Sequence, residues 1–154
     1  MDQINDFYGK SNLTVAIGTD HGGFELKEFL KNEYKNKGID LKDLGTYSPE
    51  SCDYPLIADK VSEAILSGEA DLGILICGTG IGISIAANRH KGIRAALLYN
   101  NEVAALAKEH NNANIAVFGA RTQAKEDVLT YLDTFLKTPF SNGERHCRRI
   151  AELG

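Results

Sequence analysis

Five times along this 154-residue chain a strand-like segment gives way to an amphipathic stretch, and that alternation leaves few folds open. Four of the segments are apolar runs: Leu13-Thr14-Val15-Ala16-Ile17-Gly18, Leu72-Gly73-Ile74-Leu75-Ile76, Ile93-Arg94-Ala95-Ala96-Leu97-Leu98 and Ile115-Ala116-Val117-Phe118. The remaining one, Ile39-Asp40-Leu41-Lys42-Asp43-Leu44, alternates apolar with polar as a half-buried or edge strand does. Between them lie helical periodicities. Phe24, Leu26, Phe29, Leu30 and Tyr34 share a face that ends at Gly38; Ile57, Val61 and Ile65 share another that ends at Gly68. A third helix runs from the glycine-rich turn after Ile76 to about Arg89. Val103, Leu106 and Ala107 belong to a fourth that ends in His110-Asn111-Asn112. Val128, Leu132, Phe135 and Leu136 line a fifth, closed by Pro139. Asp53, ahead of Pro55, is placed to cap the second helix, and Thr122 the fifth, with Glu126 and Asp127 near the positive end of the latter. Mostly apolar strands separated by helices predict a three-layer α/β/α, Rossmann-like fold: a five-stranded parallel sheet with helices on both faces.

No linker or repeat interrupts this pattern. Residues 1–11 are polar and aperiodic and read as a flexible extension, residues 12–140 as the α/β domain, and residues 141–154 as a basic C-terminal helix of the same domain. Seventeen basic against 21 acidic side chains give a net charge of −4, so nothing points to nucleic acid or an anionic membrane. No run nears the roughly 20 apolar residues that span a bilayer, and the first residues lack the pattern of a secretory signal. Cys52, Cys77 and Cys147 form an odd, scattered set without metal-ligand or disulfide spacing, which points to a reducing compartment, the cytoplasm.

Ligands of open parallel sheets bind outside the carboxyl ends of the strands, and polar residues gather there. Asp20 and His21 follow the first strand, Cys77-Gly78-Thr79-Gly80-Ile81-Gly82 the third, and Arg121 the fifth. The glycine turn opens a helix, so its backbone N–H groups favour anions and activate a neighbouring thiol. It matches neither the dinucleotide fingerprint, since Leu98-Tyr99-Asn100 lacks the acidic ribose ligand, nor a phosphate loop ending in Gly-Lys-Ser/Thr. A nest for an oxyanion or phosphate remains. Each residue also has a plainer reading: Cys77 as a small buried hydrophobe, Asp20 as a helix cap, His110 as a complement to a helix dipole. His110 and Asn111 end the helix after the fourth strand, so an antiparallel helix places them at the opposite edge of the sheet from Cys77. A second subunit would be needed to unite them. In the tail, Arg145 and Arg149 lie at i, i+4 with His146 beside them, either as a solvated basic face or as a bidentate phosphate site.

Six motifs in order, D-H-G-G-F at 20–24, D-Y-P at 53–55, I-C-G-T-G-I-G-I-S-I-A-A-N at 76–88, H-N-N-A-N at 110–114, F-G-A-R at 118–121 and G-E-R-H at 143–146, give the chain its resemblance. From about residue 13 to the end it resembles ribose-5-phosphate isomerase type B, of the sugar-phosphate isomerase family that also includes the galactose-6-phosphate isomerase subunits. The resemblance implies an aldose–ketose isomerase that interconverts ribose 5-phosphate and ribulose 5-phosphate in the non-oxidative branch of the pentose phosphate pathway. By it, Cys77 is the base that moves a proton between C1 and C2, and the backbone of Gly78, Thr79, Gly80, Ile81 and Gly82 stabilises the enediolate. His110 opens the sugar ring, Asp20 holds hydroxyls and Asn111 contacts the substrate. Thr79 counts with Cys77, His110 and Asp20 among the catalytic residues. His21, Arg121, Arg145 and Arg149 take the phosphate. The family forms homodimers or dimers of dimers with shared sites, and no metal or organic cofactor is implied. In a second version of the family a glutamate replaces the cysteine; Ile83 stands at that position here, so the chain resembles the cysteine version. Glu144 and Arg148 depart from the usual tail, which has a second glycine and a neutral residue at those places. Two alternatives share the same fold: an isomerase of another aldose phosphate such as allose 6-phosphate, and a non-catalytic sugar-phosphate sensor that needs the arginines but no base.

Overall fold

Strand pairing follows the apolar runs. The computed structural model describes residues 13–154, so the extension read at residues 1–11 lies outside the described residues. Strands β1 (Val15–Thr19), β2 (Lys42–Asp43), β3 (Leu72–Cys77), β4 (Ala95–Leu97) and β5 (Ile115–Gly119) form one parallel sheet in the order β2-β1-β3-β5-β4. The three inner strands are buried along their whole length, which is why they read as continuous apolar runs, whereas the edge strands β2 and β4 are only half-buried.

Helices α1 (Phe24–Lys35), α2 (Tyr54–Leu66), α3 (Ile81–Asn88), α4 (Asn101–Glu109), α5 (Lys125–Lys137) and α6 (Glu144–Leu153) complete the chain. Crossover direction decides their faces. The steps β1 to β2 and β4 to β5 run one way along the sheet, and β2 to β3 and β3 to β4 run the other, so right-handed crossovers place α1 and α4 on one face and α2 and α3 on the opposite one. The core divides accordingly. Leu26, Leu30 and Tyr34 of α1, Ala104 and Ala107 of α4, and Val128, Leu132 and Phe135 of α5 pack with Ile17, Ile76 and Phe118. Ile57, Val61 and Ala64 of α2 and Ile83 and Ala87 of α3 pack with Ala16, Leu75 and Val117. Chain leaving β3 therefore turns to one face while chain leaving its neighbours β1 and β5 turns to the other. Both resulting crevices open at the carboxyl end of β3.

Four local expectations are corrected. The second strand is not the six-residue segment 39–44: Ile39 and Leu41 bury their side chains, but only Lys42 and Asp43 pair with Ala16 and Ile17, at the sheet edge. The fourth strand likewise shortens to Ala95–Leu97: just ahead of it, the Arg94 N–H is taken by the Asn114 side chain at 2.7 Å. Helix α5 starts at Lys125, not beside Thr122, whose hydroxyl stays within its own turn on Gly119 O. Gln123 organises that turn instead, accepting from Gly119 N at 2.8 Å and donating to Leu98 O at 2.7 Å. Asp53 does occupy the residue before α2, but its side chain makes no capping hydrogen bond.

Candidate active site

Cys77 is the last residue of β3, 5% exposed, and its Sγ accepts a hydrogen bond from Gly80 N–H at 3.1 Å. The bond requires the chain to double back within three residues. Gly80 permits this with φ of +81°, at a place where a Cβ would stand 2.6 Å from Leu97 Cδ1 and 3.1 Å from the Phe118 carbonyl. The thiol thus faces a backbone dipole at the positive end of α3. Thr79 Oγ1 accepts from Ile81 N–H at 3.2 Å. Two of the turn's donors are therefore engaged within it, while among the described residues nothing in the chain takes the N–H groups of Gly78, Thr79 and Gly82. Those three donors stay open.

Residues after β1 and β5 close on this turn. Asp20, 8% exposed, donates its N–H to Ile76 O at 3.2 Å and caps the short 3₁₀ turn His21–Gly23 by accepting from Gly22 N–H at 2.9 Å. A methyl built on Gly22 would lie 3.5 Å from Gly78 N, so this carboxylate and the glycine turn are neighbours. His21 is exposed, and its Nδ1 accepts from Cys52 N–H at 3.2 Å. That bond assigns the proton of the neutral ring to Nε2, which makes His21 a donor toward the site. From β5, Arg121 N–H donates to Gly78 O at 2.8 Å, and its guanidinium lies 3.5 Å from where a Gly78 Cβ would be.

The loop between β2 and α2 is bolted to the same end. Fully buried Lys27 donates to Asp43 Oδ2 at 2.6 Å and Lys31 to the same oxygen at 2.8 Å, while Asp43 Oδ1 accepts from Gly45 N–H at 2.9 Å. Gly45 O in turn accepts from Thr19 N–H and Thr46 N–H donates to Thr19 O, both at 2.8 Å, beside Asp20. Burial works to raise the Asp43 carboxyl, but the two ammonium groups and the Gly45 N–H more than offset it and hold it below its ordinary value. At the far end of this loop Tyr54 begins α2 and lies against the glycine turn: a Cβ on Gly82 would stand 2.7 Å from its ring and 2.9 Å from its hydroxyl. Tyr54 was not singled out from sequence as a site residue. The signal was present in D-Y-P, where an aromatic at the first turn of a helix is followed by Pro55.

His110 and Asn111 follow α4 and precede β5, at the amino end of the sheet. Cys77 pairs with Gly119 at the other end of β5, so about 13 Å of strand intervenes at roughly 3.3 Å per residue. The fold gathers a second group around them. The His110 and His146 rings stack with centroids 4.3 Å apart and an interplanar angle of 13°, which brings His110 onto α6 with Arg145 and Arg149. Desolvation, with the charges of His110, Arg145 and Arg149, holds the His146 imidazole below its ordinary value; Glu109 pulls the other way. One chain thus brings Asp20, His21, Cys77, Gly78 to Gly82 and Arg121 together at one end and His110, Asn111, Arg145 and Arg149 at the other. Among the described residues no group of His, Cys, Asp and Glu side chains is arranged to hold a metal ion, and no helix is long and apolar enough to cross a membrane.

A family model described as Ribose/Galactose Isomerase matches residues 15–153. The chain belongs to this family. It is 42% identical over 139 residues to ribose-5-phosphate isomerase B of Escherichia coli, covering 90% of this chain and 93% of that protein. Among solved structures it is similar to a ribose 5-phosphate isomerase from Thermotoga maritima, at 55% identity with a TM-score of 0.90 over 93% of this chain and 98% of that one. It is also similar to ribose-5-phosphate isomerase B from Clostridium thermocellum, at 46% identity and a TM-score of 0.90 over 92% and 95% of the two chains. The family's Rossmann-like sheet is thus the one into which this sequence folds.

Proposed function

We propose that the chain is an aldose–ketose isomerase interconverting ribose 5-phosphate and ribulose 5-phosphate, with Cys77 as the base. The observation that carries this reading is the Cys77 Sγ held at 3.1 Å from Gly80 N–H, beside the three unclaimed N–H groups of the same turn. In the open-chain aldose, Cys77 as thiolate takes the proton from C2. The C–H electron pair becomes the C1=C2 bond, and O1 gains the negative charge and accepts hydrogen bonds from Gly78, Thr79 and Gly82 N–H. A proton passes from O2 to O1, and Cys77 returns its proton to C1 to give the ketose. Asp20, with its second oxygen turned from its cap, receives sugar hydroxyls. His21 through Nε2–H and Arg121 bind the phosphate, joined by Arg145 and Arg149.

His110 opens the ring and Asn111 contacts the sugar, and both come from a second copy of the chain. Helix α6 has charged and apolar faces yet buries none of its side chains, and Leu153 at its end is 69% exposed. A cavity of about 790 Å³ separates it from edge strand β4 and is lined by Ile93, Ala96, Leu106, Ile150 and Leu153. A mainly apolar cavity at a sheet edge, rimmed by Arg89, His90, Lys91 and Arg94 under an unburied amphipathic helix, is suited to a homodimer, in which α6, a part of the same domain, lies at the interface. Three free cysteines fit a cytoplasmic enzyme.

The experiment is solvent exchange of the C2 proton of ribose 5-phosphate. Wild-type protein should exchange it and Cys77→Ala should not, with the circular dichroism spectrum unchanged. A wild-type chain that binds the sugar phosphate, yet neither exchanges that proton nor forms the ketose, is a sensor and not an isomerase.

A further inference from the structure

We propose that Arg94 is a positioning residue for the reaction: its guanidinium holds the turn that presents His110 and Asn111. This rests on the roles given to those two residues above. Helix α4 ends by reversing. The His110 N–H still reaches Leu106 O at 2.9 Å, but Asn112 takes φ of +44°, and the next N–H groups fold back, Asn112 onto Lys108 O at 3.1 Å and Ala113 onto Ala107 O at 2.9 Å. The reversal turns the carbonyls of Asn111 and Asn112 away from backbone donors, at the negative end of the helix dipole. Arg94 supplies the donors. Its Nε donates to Asn111 O at 3.0 Å and to Asn112 O at 3.2 Å, and Nη2 donates to Asn112 O at 3.0 Å.

The backbone of Arg94 is tied to the same segment. Its N–H donates to Asn114 Oδ1 at 2.7 Å, its carbonyl accepts from Asn114 N–H at 3.0 Å, and Asn114 Nδ2 donates to Gly92 O at 2.9 Å. One arginine thus grips residues 111–114 by both ends. Among the described residues no carboxylate forms an ion pair with it, and its Nε and Nη2 donors go to carbonyls of this turn; burial lowers its pKa from the ordinary value. A rigid fork that spans two adjacent carbonyls fixes the direction of the turn, and a lysine ammonium acting as a point charge does not. The residues so fixed are the pair that must reach into a neighbouring subunit's site, where a displacement of about 1 Å can cost on the order of 100-fold in rate.

The test is Arg94→Lys in the full chain, alone and combined with His110→Ala, with two readouts. Steady-state kinetics on ribose 5-phosphate should show kcat reduced about 10- to 100-fold and KM changed much less, with the loss nearly absent in the His110→Ala background. The His110 and His146 imidazole NMR signals should move away from their stacked positions. Loss of kcat by the same factor with and without His110, or unchanged imidazole signals, overturns the proposal. If His110→Ala itself leaves turnover intact, the ring-opening role has failed, and the clamp on the turn then stands or falls by the imidazole signals. Should Arg94→Lys fail to fold, Arg94→Gln, which keeps one donor of the fork, is read in the same way.

Discussion

The two ends of the sheet are built differently. At the carboxyl end, the polar groups are locked by the fold: Cys77 under Gly80 N–H, Asp20 in its cap, His21 against Cys52 N–H, and the preceding loop pinned by buried Lys27 and Asp43. At the amino end, His110 is clamped on the backbone side by its turn, and its side chain stacks on an imidazole of α6, a helix with no buried residue, with Glu109 Oε1 3.8 Å from its Nε2. The Cys77 end is preorganised within one chain, whereas the His110 end faces outward, and under the proposed function it is the half that a second copy would complete.

Mutations at the two ends should therefore fail in different ways. The largest effect belongs to Cys77→Ala, for which kcat should fall by about 1,000-fold or more while KM changes little, since a proton-transfer group acts in the transition state. Asp43→Asn comes next, on stability. It leaves Lys27 fully buried without its carboxylate and should cost about 3 kcal/mol at pH 7 in urea denaturation. The sign of the pH dependence follows from the depressed carboxyl. Its contribution is fully present above the ordinary value of 3.8 and is lost as the pH falls below that value through the folded one, so the difference between wild type and Asp43→Asn should shrink on acidification. Removing the counterpart at the other end, His146→Ala, should cost much less in the same measurement, since no residue of α6 is buried. An equal cost would erase the contrast. Smaller still in rate, Arg149→Ala should raise KM for ribose 5-phosphate about tenfold with kcat nearly unchanged, because its partner is the non-reacting phosphate. A fall in kcat at constant KM would assign Arg149 to the chemistry.

Much of this was legible in the chain, for identifiable reasons. Inner strands buried on both faces leave unbroken apolar runs such as Leu72-Gly73-Ile74-Leu75-Ile76, and Gly80 marks the one tight reversal that brings a donor onto Cys77. The opposition of Cys77 and His110 also followed from the antiparallel course of α4. Edge strands were not legible in extent. Asn114 takes the backbone N–H just ahead of β4 through a side chain 20 residues away, and β2 pairs through two residues only. Tyr54 and Arg94 escaped for a related reason. Each acts on residues more than ten positions away, Gly82 for one and Asn111 with Asn112 for the other, and no local pattern encodes such a meeting. The grouping of His110 with His146 likewise depends on where α6 comes to rest.

The claim that each site is shared between two chains has a direct test by mixing. Cys77→Ala and His110→Ala chains, each nearly inactive alone, are unfolded together and refolded in equal amounts. Random pairing makes half of the dimers hybrid, and each hybrid holds one site with both residues intact, so activity should recover to about one-quarter of wild type. A mixture no more active than the sum of the two separate proteins would mean that Cys77 and His110 serve the same site from one chain, and the account would be wrong.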